Sequence, residues 1–375
     1  DIDYYTFSMA LVSMPMAKLD SRLYYRYVEK NNNSSHIFYN DGSGDNYKEL
    51  LSYDKNTAGI DLGYRLPYRT KLDAGYEYDD IDRSTEEPAY VNPPNTLYRY
   101  DNPSSTTDNT AFVQLKNSSL DWLTTKVKYT HLDRDSDDTG TYDPYANEGV
   151  TRFDATDKTM DEVKVGFEFY PLDSFDIGID YTYQDNDYKD NRETRTDDKR
   201  QSVYLDMAWR AYKKATISGF LGFENTKTDA NRITSLQDET IYAQTVDDDF
   251  WTYGLALNVP DIINKLTLNF SWQYQKSNGK VKFDNSFTGD TVTGRFLVDI
   301  PDSDDYSKRT FEAKAIYEID PKFFVTVGYM YESYKYSDIA YTDYQYILGN
   351  DYYSGAYYDQ DYTANVGYVT LGYNF

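Results

Sequence analysis

Seven segments of the chain repeat one plan, a tight polar turn followed by a strand of alternating character. They are 18–28, 70–78, 119–131, 174–184, 214–224, 265–275 and 322–333, and nearly all close on outward tyrosine. In the last of them Phe323, Val325, Val327, Tyr329 and Tyr331 point one way, and Phe324, Thr326, Gly328, Met330 and Glu332 the other. Successive strand side chains leave opposite faces, so this strand has one apolar, aromatic-ended face and one small, polar or charged face. Strand after strand built this way predicts an all-β fold, a transmembrane antiparallel β-barrel of the outer membrane whose apolar partner is lipid.

The totals look wrong for a membrane protein until the period is considered. Mean hydropathy is −0.79 and 27% of residues are charged, with a formal net charge of −25. No run of about 18 apolar residues exists to make a transmembrane helix. A barrel needs only every second residue of a short strand to be apolar, so its average stays low. Tyrosine, at 43 of 375 residues, combines an apolar ring with a wet hydroxyl and suits a lipid–water boundary. A soluble sandwich or solenoid would not end its strands with outward tyrosine so regularly. The absence of cysteine excludes thiolate metal sites, cysteine nucleophiles and c-type haem attachment in this chain.

About fifteen strands are expected, joined alternately by short turns and long loops. The turns fall at 14–17, 66–70, 117–119, 170–174, 211–214, 259–264 and 319–322, where Pro, Asp and Asn set turn backbones. The loops fall at 31–55, 79–108, 132–158, 185–199, 225–247, 276–305 and 339–360 and are rich in Asp, Asn, Ser, Thr and Gly. Outer-membrane barrels keep short turns in the periplasm and long loops outside, so the loops are expected to be extracellular and the C-terminus periplasmic. The last strand ends Val369, Leu371, Tyr373, Phe375, which reads as a barrel-insertion tail. The first strand, 2–13, and the last both run toward the turn side. Barrels normally have an even strand number, so a single domain, 1–375, missing one or more N-terminal strands is expected. It would close as a barrel of about 15–16 strands or form part of a larger one of about 26–28.

The inward positions carry both signs of charge. Basic ones include Arg22, Arg26, Arg65, Lys71, Lys116, Lys126, Lys128, Lys164, Arg210 and Lys314, and acidic ones include Asp61, Asp73, Glu77, Asp180, Asp206, Glu312 and Glu332. Mutual ion pairing accounts for most of them, since an ion-selective pore would cluster one sign. Inward glycines, among them Gly59, Gly75, Gly254, Gly328 and Gly372, mark either wall curvature or room left for something large inside.

The hairpin phrase at 171–183, the Tyr-rich strands and the ending from Tyr352 to Phe375 resemble the decahaem-associated outer-membrane protein family, the MtrB/PioB barrels. The resemblance covers most of the chain, although large barrels share its alternation. It implies a barrel that sheathes a periplasmic multihaem c-type cytochrome for transmembrane electron transfer, often with a second multihaem cytochrome docked outside. Haem would then belong to the partner, and no enzyme activity is expected of the barrel. Arg22, Arg26, Arg65, Lys126, Arg210 and Lys314, with their acidic neighbours, are the expected contacts to that partner. The alternative is a general or substrate-specific diffusion porin, in which a long loop, 79–108 or 276–305, would fold inward.

Other chemistry is sparse. The only histidines are His36 and His131; both read as solvated or interfacial. Asp133, Asp135 and Asp137 alternate as calcium ligands do, but Asp138 stands where an EF-hand has Gly and Pro144 where it has Glu. Calcium at this loop is therefore weighed against a solvated acidic loop. A polyanionic outer face disfavours nucleic acid.

Overall fold

The computed structural model describes residues 2–34, 38–40, 45–47, 50–86, 105–137, 156–189, 194–210, 215–233, 240–284, 299–338, 347–348, 351–352 and 360–373. The strands are β1 (Ile2–Met16), β2 (Leu19–Asn32), β3 (Phe38–Asn40), β4 (Asp45–Tyr47), β5 (Leu50–Leu66), β6 (Thr70–Glu86), β7 (Ser105–Leu120), β8 (Leu123–Ser136), β9 (Lys158–Leu172) and β10 (Phe175–Tyr188). They continue with β11 (Thr194–Arg210), β12 (Thr216–Ile233), β13 (Thr240–Ile263), β14 (Leu266–Asp284), β15 (Asp305–Glu318), β16 (Phe323–Ser337), β17 (Ile347–Leu348), β18 (Asp351–Tyr352) and β19 (Tyr362–Tyr373). Fifteen of them make one antiparallel sheet in chain order, β1-β2-β5 through β16-β19; β3-β4 and β17-β18 are separate two-stranded pairs. The strand number matches the sequence expectation. β1 and β19 are the sheet's two edges, and an odd number of antiparallel strands makes them run parallel to each other.

The sheet is inside out by the standards of a soluble domain. Among the described residues the only buried hydrophobic side chains are Tyr188 and Val281, while Leu255 and Val327 are each 52% exposed. The fully buried side chains are instead Thr57 and Thr106. Register sorts the faces. Arg22↔Asp61↔Gly75 runs along one face, and Leu23↔Ile60↔Tyr76 along the other. The apolar face carries Leu62, Leu115, Val127, Val203, Leu255, Val327 and Leu371 as an exposed band, which is the outward face of a membrane barrel.

Aromatic residues border that band at both ends. Near the turns lie Trp209, Tyr317, Phe323 and Tyr373, and near the loops Tyr76, Tyr129, Trp251, Trp272 and Tyr329, all exposed. The loop-side tyrosines share one bond. Tyr25 donates to Asn56 at 2.7 Å, Tyr76 to Asn109 at 2.5 Å, Tyr129 to Asp161 at 2.5 Å and Tyr329 to Asn365 at 2.7 Å. In each case the acceptor is on the neighbouring strand, two residues nearer the loops than the residue facing the tyrosine. A ring in lipid with its hydroxyl on a polar partner one step higher marks the boundary of the apolar band.

The strands run further than the sequence reading placed them. Segments 79–86, 132–136, 185–188, 194–199, 225–233, 240–247 and 276–284 were expected in loops and are strand. Above the band both faces meet water, so the alternation that identifies a strand disappears while the ladder continues. Two expected turns are tighter than drawn. β1 runs on to Met16 with a register shift between Ser13 and Met16, and β13 runs on to Ile263 with one between Val259 and Ile263. Asp261 and Lys265 there have φ of 51° and 69°, and Tyr68 and Arg69 in the β5–β6 turn have 57° and 47°. Short hairpin turns need this left-handed backbone. The turn expected at 211–214 and the loop cores 87–104, 141–150 and 285–298 lie outside the described residues.

Candidate functional site

The polar face is the candidate site. Its relief is low, and the register explains why. Tyr24 faces Gly59, Phe112 faces Gly75, Phe220 faces Gly254, Tyr368 faces Gly328 and Phe324 faces Gly372. In all five pairs the ring lies where a side chain at the glycine would stand, against the missing Cβ. A glycine lets the opposite ring lie flat on the sheet instead of projecting from it. At two places the hydroxyl goes on to a third strand. Tyr24 crosses Gly59 and donates to Glu77 at 2.7 Å, and Tyr368 crosses Gly328 and donates to Glu312 at 3.1 Å. Asp180 and Asp206 lie over Gly166 and Gly178 in the same manner. Tyr24, Glu77 and Tyr368 thus belong to the wall as much as the charged residues do. Only cross-strand register could have shown the ring-over-glycine pairing; the sequence spacing between partners is irregular.

The six residues expected to touch a partner all lie on this face, but they are not equivalent. Arg22 pairs with Asp61 at 3.3 Å and stacks on Tyr24, with 4.3 Å from guanidinium carbon to ring centre. Arg65 reaches both oxygens of Asp20 at 2.7 and 2.9 Å. Arg210 reaches both oxygens of Asp176 at 3.0 and 2.7 Å. Lys314 pairs with Glu312 at 2.8 Å. These four are held against the wall by carboxylates, as mutual pairing predicts. Arg26 and Lys126 have no carboxylate within ion-pair distance among the described residues, so the wall leaves them open.

Above the apolar band the face becomes a buried polar network. Asp79 accepts from Thr57 at 2.5 Å and from Lys55 at 2.9 Å. Arg134 forks onto Asp108 at 2.6 and 2.7 Å, a bidentate geometry that is strong when buried. Asp198 accepts from Asn186 at 2.6 Å and Tyr188 at 2.7 Å. Further round, Asp248 stands beside Asp247, Asp249, Asp304 and Asp305. Burial first, and then those four carboxylates, hold it above the usual carboxylate range. Burial also raises Asp305, opposed by the Gly279 amide it accepts from at 2.6 Å.

Asp133, Asp135 and Asp137, the residues read as a possible calcium loop, fall at the loop end of β8. Asp133 and Asp135 lie in strand β8, so they are spread along an extended chain rather than gathered by a loop. Asp133 is taken by Lys189 at 3.1 Å, and Asp137 accepts the Ser105 amide at 2.8 Å. No group of three metal-ligating side chains occurs among the described residues. His131 sits on the apolar face beside Tyr129, and both share Asp161, His131 at 2.8 Å; His36 lies outside the described residues.

An antiparallel sheet with an exposed apolar band, aromatic borders and a flat polar inner face defines an outer-membrane β-barrel. Over residues 1–375 the chain matches the family described as "Putative outer membrane beta-barrel porin, MtrB/PioB". It belongs to that family. No curated protein matches it. Among solved structures, the ferric enterobactin receptor PfeA of Pseudomonas aeruginosa is 8% identical, with 98% of this chain and 69% of that one covered and a TM-score of 0.47. The FrpB iron transporter (F3-3 variant) of Neisseria meningitidis is 10% identical, with 90% and 60% covered and a TM-score of 0.46. The alcaligin receptor FauA of Bordetella pertussis is 10% identical, with 90% and 54% covered and a TM-score of 0.44. The chain spans 54% of FauA and 60% of FrpB, less than two thirds of either.

Proposed function

We propose that this barrel is a sheath: it houses a periplasmic multihaem c-type cytochrome in its lumen and holds it across the outer membrane, so that electrons pass through the partner's haems. The observation that carries the reading is the flat wall. Rings and carboxylates lie down over glycines, and four of the six basic residues, Arg22, Arg65, Arg210 and Lys314, are drawn onto neighbouring carboxylates. A wall of that kind leaves its bore free for a bulky occupant. Membership of the MtrB/PioB family gives the occupant its class. The barrel's part is geometry and insulation, while the partner's cofactors carry the chemistry. In this reading the short turns face the periplasm and the long loops the outside, as in other outer-membrane barrels. An extracellular multihaem cytochrome would meet the loop end.

The competing reading is an open diffusion porin with an inward-folded loop. The described parts of the two loops concerned, 79–86, 105–108 and 276–284, continue the sheet ladder, and Ile300 bridges back to Val281 of β14. These stretches favour the sheath by leaving the bore clear.

The deciding experiment is purification of the full-length protein from its native membrane by a tag on the barrel. A haem absorbance band in fixed proportion to the barrel is expected. The barrel alone in liposomes should not transfer electrons to a trapped dye, and addition of its multihaem partner should permit it. A purified barrel that never retains haem protein and gives large, steady single-channel conductance overturns the reading.

A further inference from the structure

The polar face concentrates positive charge in one place that sequence order conceals. Arg65 on β5 faces Lys71 on β6, Lys71 faces Lys116 on β7, and Lys116 faces Lys126 on β8. Four like charges therefore stand directly opposite one another across four neighbouring strands. One step along β8, Lys128 faces Lys164 on β9. Like charges directly opposed across strands are destabilising, so an arrangement repeated three times in one row calls for a counter-charge.

The wall supplies only part of it. Arg65 is held by Asp20 at 2.7 Å, Lys71 by Asp73 at 2.6 Å and Lys164 by Glu162 at 2.9 Å. Lys116, Lys126 and Lys128 have no carboxylate within ion-pair distance among the described residues. Lys128 has its ammonium 4.5 Å from the centre of the Phe112 ring, a weak substitute for an anion. Asp180 lies over Gly166, the residue that faces Lys126, but makes no ion pair with it. In a chain of net charge −25, three uncompensated ammonium groups in one bore-facing patch are the exception. Their position is specific too. Arg65 and Lys71 flank the β5–β6 turn, and Lys116 and Lys126 flank the β7–β8 turn, so the row lies at the turn-side mouth.

From this juxtaposition we infer that Lys116, Lys126 and Lys128 form an anion-binding cradle that docks an acidic, carboxylate-rich face of the protein occupying the bore. The inference rests on the sheath reading and deepens it: it states which charge the occupant presents and where on the wall it is held. Lysine is a flexible point charge with three donors, so the cradle would read charge density and tolerate variation in carboxylate placement. Close-set positive groups at a mouth also steer an acidic body inward before contact.

The probe is poly-L-glutamate titrated onto the purified full-length barrel in detergent, with free glutamate as the monovalent arm. Saturable, salt-weakened binding of the polymer is expected, with free glutamate far weaker. K116E/K126E/K128E should lower polymer affinity on the order of tenfold or more. K116Q/K126Q/K128Q keeps the wall polar and removes the repulsion, so it should fold at least as stably as the parent and still lose the polymer. Haem retention is measured on the same variants. Polymer binding lost together with retained haem in both triple variants supports the cradle. A parent that keeps its haem protein but binds no polymer, or triple variants that keep both, overturns the cradle and leaves the sheath standing. A parent that retains no haem protein, binds free glutamate as well as the polymer, and loses anion preference in single-channel recordings when the lysines are reversed assigns the row to free anions and overturns both.

Discussion

Gly328 and Gly367 lie on neighbouring strands in adjacent register positions, yet they are there for different reasons. A Cβ at Gly328 would meet the Tyr368 ring, and one at Gly367 would meet nothing within 4 Å. Gly328→Val should therefore lift the ring off the wall and cost about 1–3 kcal/mol, the usual penalty of overpacking, whereas Gly367→Ala should be close to neutral. A guanidinium titration of both variants refolded in detergent checks this; equal midpoints would refute the ring-over-glycine account. Asp248 gives a second test. Its folded-state pKa is raised above the ordinary 3.8 by burial and by four neighbouring carboxylates, so the folded protein binds the proton more readily than the unfolded chain. Stability should then fall as pH rises from about 3.8 through the raised value, since folding there takes up a proton. Asp248→Asn should stabilise the protein above that window and flatten the slope; a slope unchanged by the substitution would count against the carboxylate cluster. At this scale the sequence was only partly legible. It placed Arg22, Arg65, Arg210 and Lys314 on the polar face and anticipated pairing, but it could not separate them from Arg26 and Lys126, which have no ion pair among the described residues. Partners such as Arg65 and Asp20 are 45 residues apart, and register decides them.

Strand faces were the most legible feature, because alternation is written in the sequence wherever one side meets lipid. Leu255 on β13 faces Trp272 on β14, and the next residue, Ala256, faces Ser271. Leu255→Arg puts a charge into the apolar band and should cost about 2–4 kcal/mol if it lies near mid-membrane. Ser271→Arg enters the bore and should be clearly milder. Equal losses in a detergent-refolding titration would mean the faces are misassigned. Strand ends were not legible. Thr194–Lys199 and Thr240–Asp247 are rich in Thr and Asp, which in a sequence signal loop, and they form ladder all the same. Beyond the lipid nothing demands an apolar face, so only hydrogen bonding and buried pairs such as Arg134–Asp108 define the strand there. The lysine row was hidden for a related reason: positions 65, 71, 116 and 126 belong to four hairpin arms and coincide only once each arm's register is known.

For the whole molecule, orientation is directly testable because the chain has no cysteine of its own. Lys189→Cys, at the loop end of β10, should react with an impermeant maleimide on intact cells. Tyr68→Cys, 85% exposed in the β5–β6 turn, should react only after the outer membrane is opened. The reverse pattern would invert the proposed topology. The lengths of the strands set a further dimension. β13 has 24 residues, about 80 Å of extended chain at the usual rise. At an ordinary barrel tilt it stands about 60 Å tall, against an apolar band of about 25 Å. β12 and β14, with 18 and 19 residues, follow it part of the way, whereas β8, β10 and β15 have 14 each, so the excess is a raised sector of the wall around β13. In the sheath reading, a protein docking at the loop end would meet that raised sector before it reached the lipid. Such a partner would need a surface that fits an uneven wall, high on one side and low on the other.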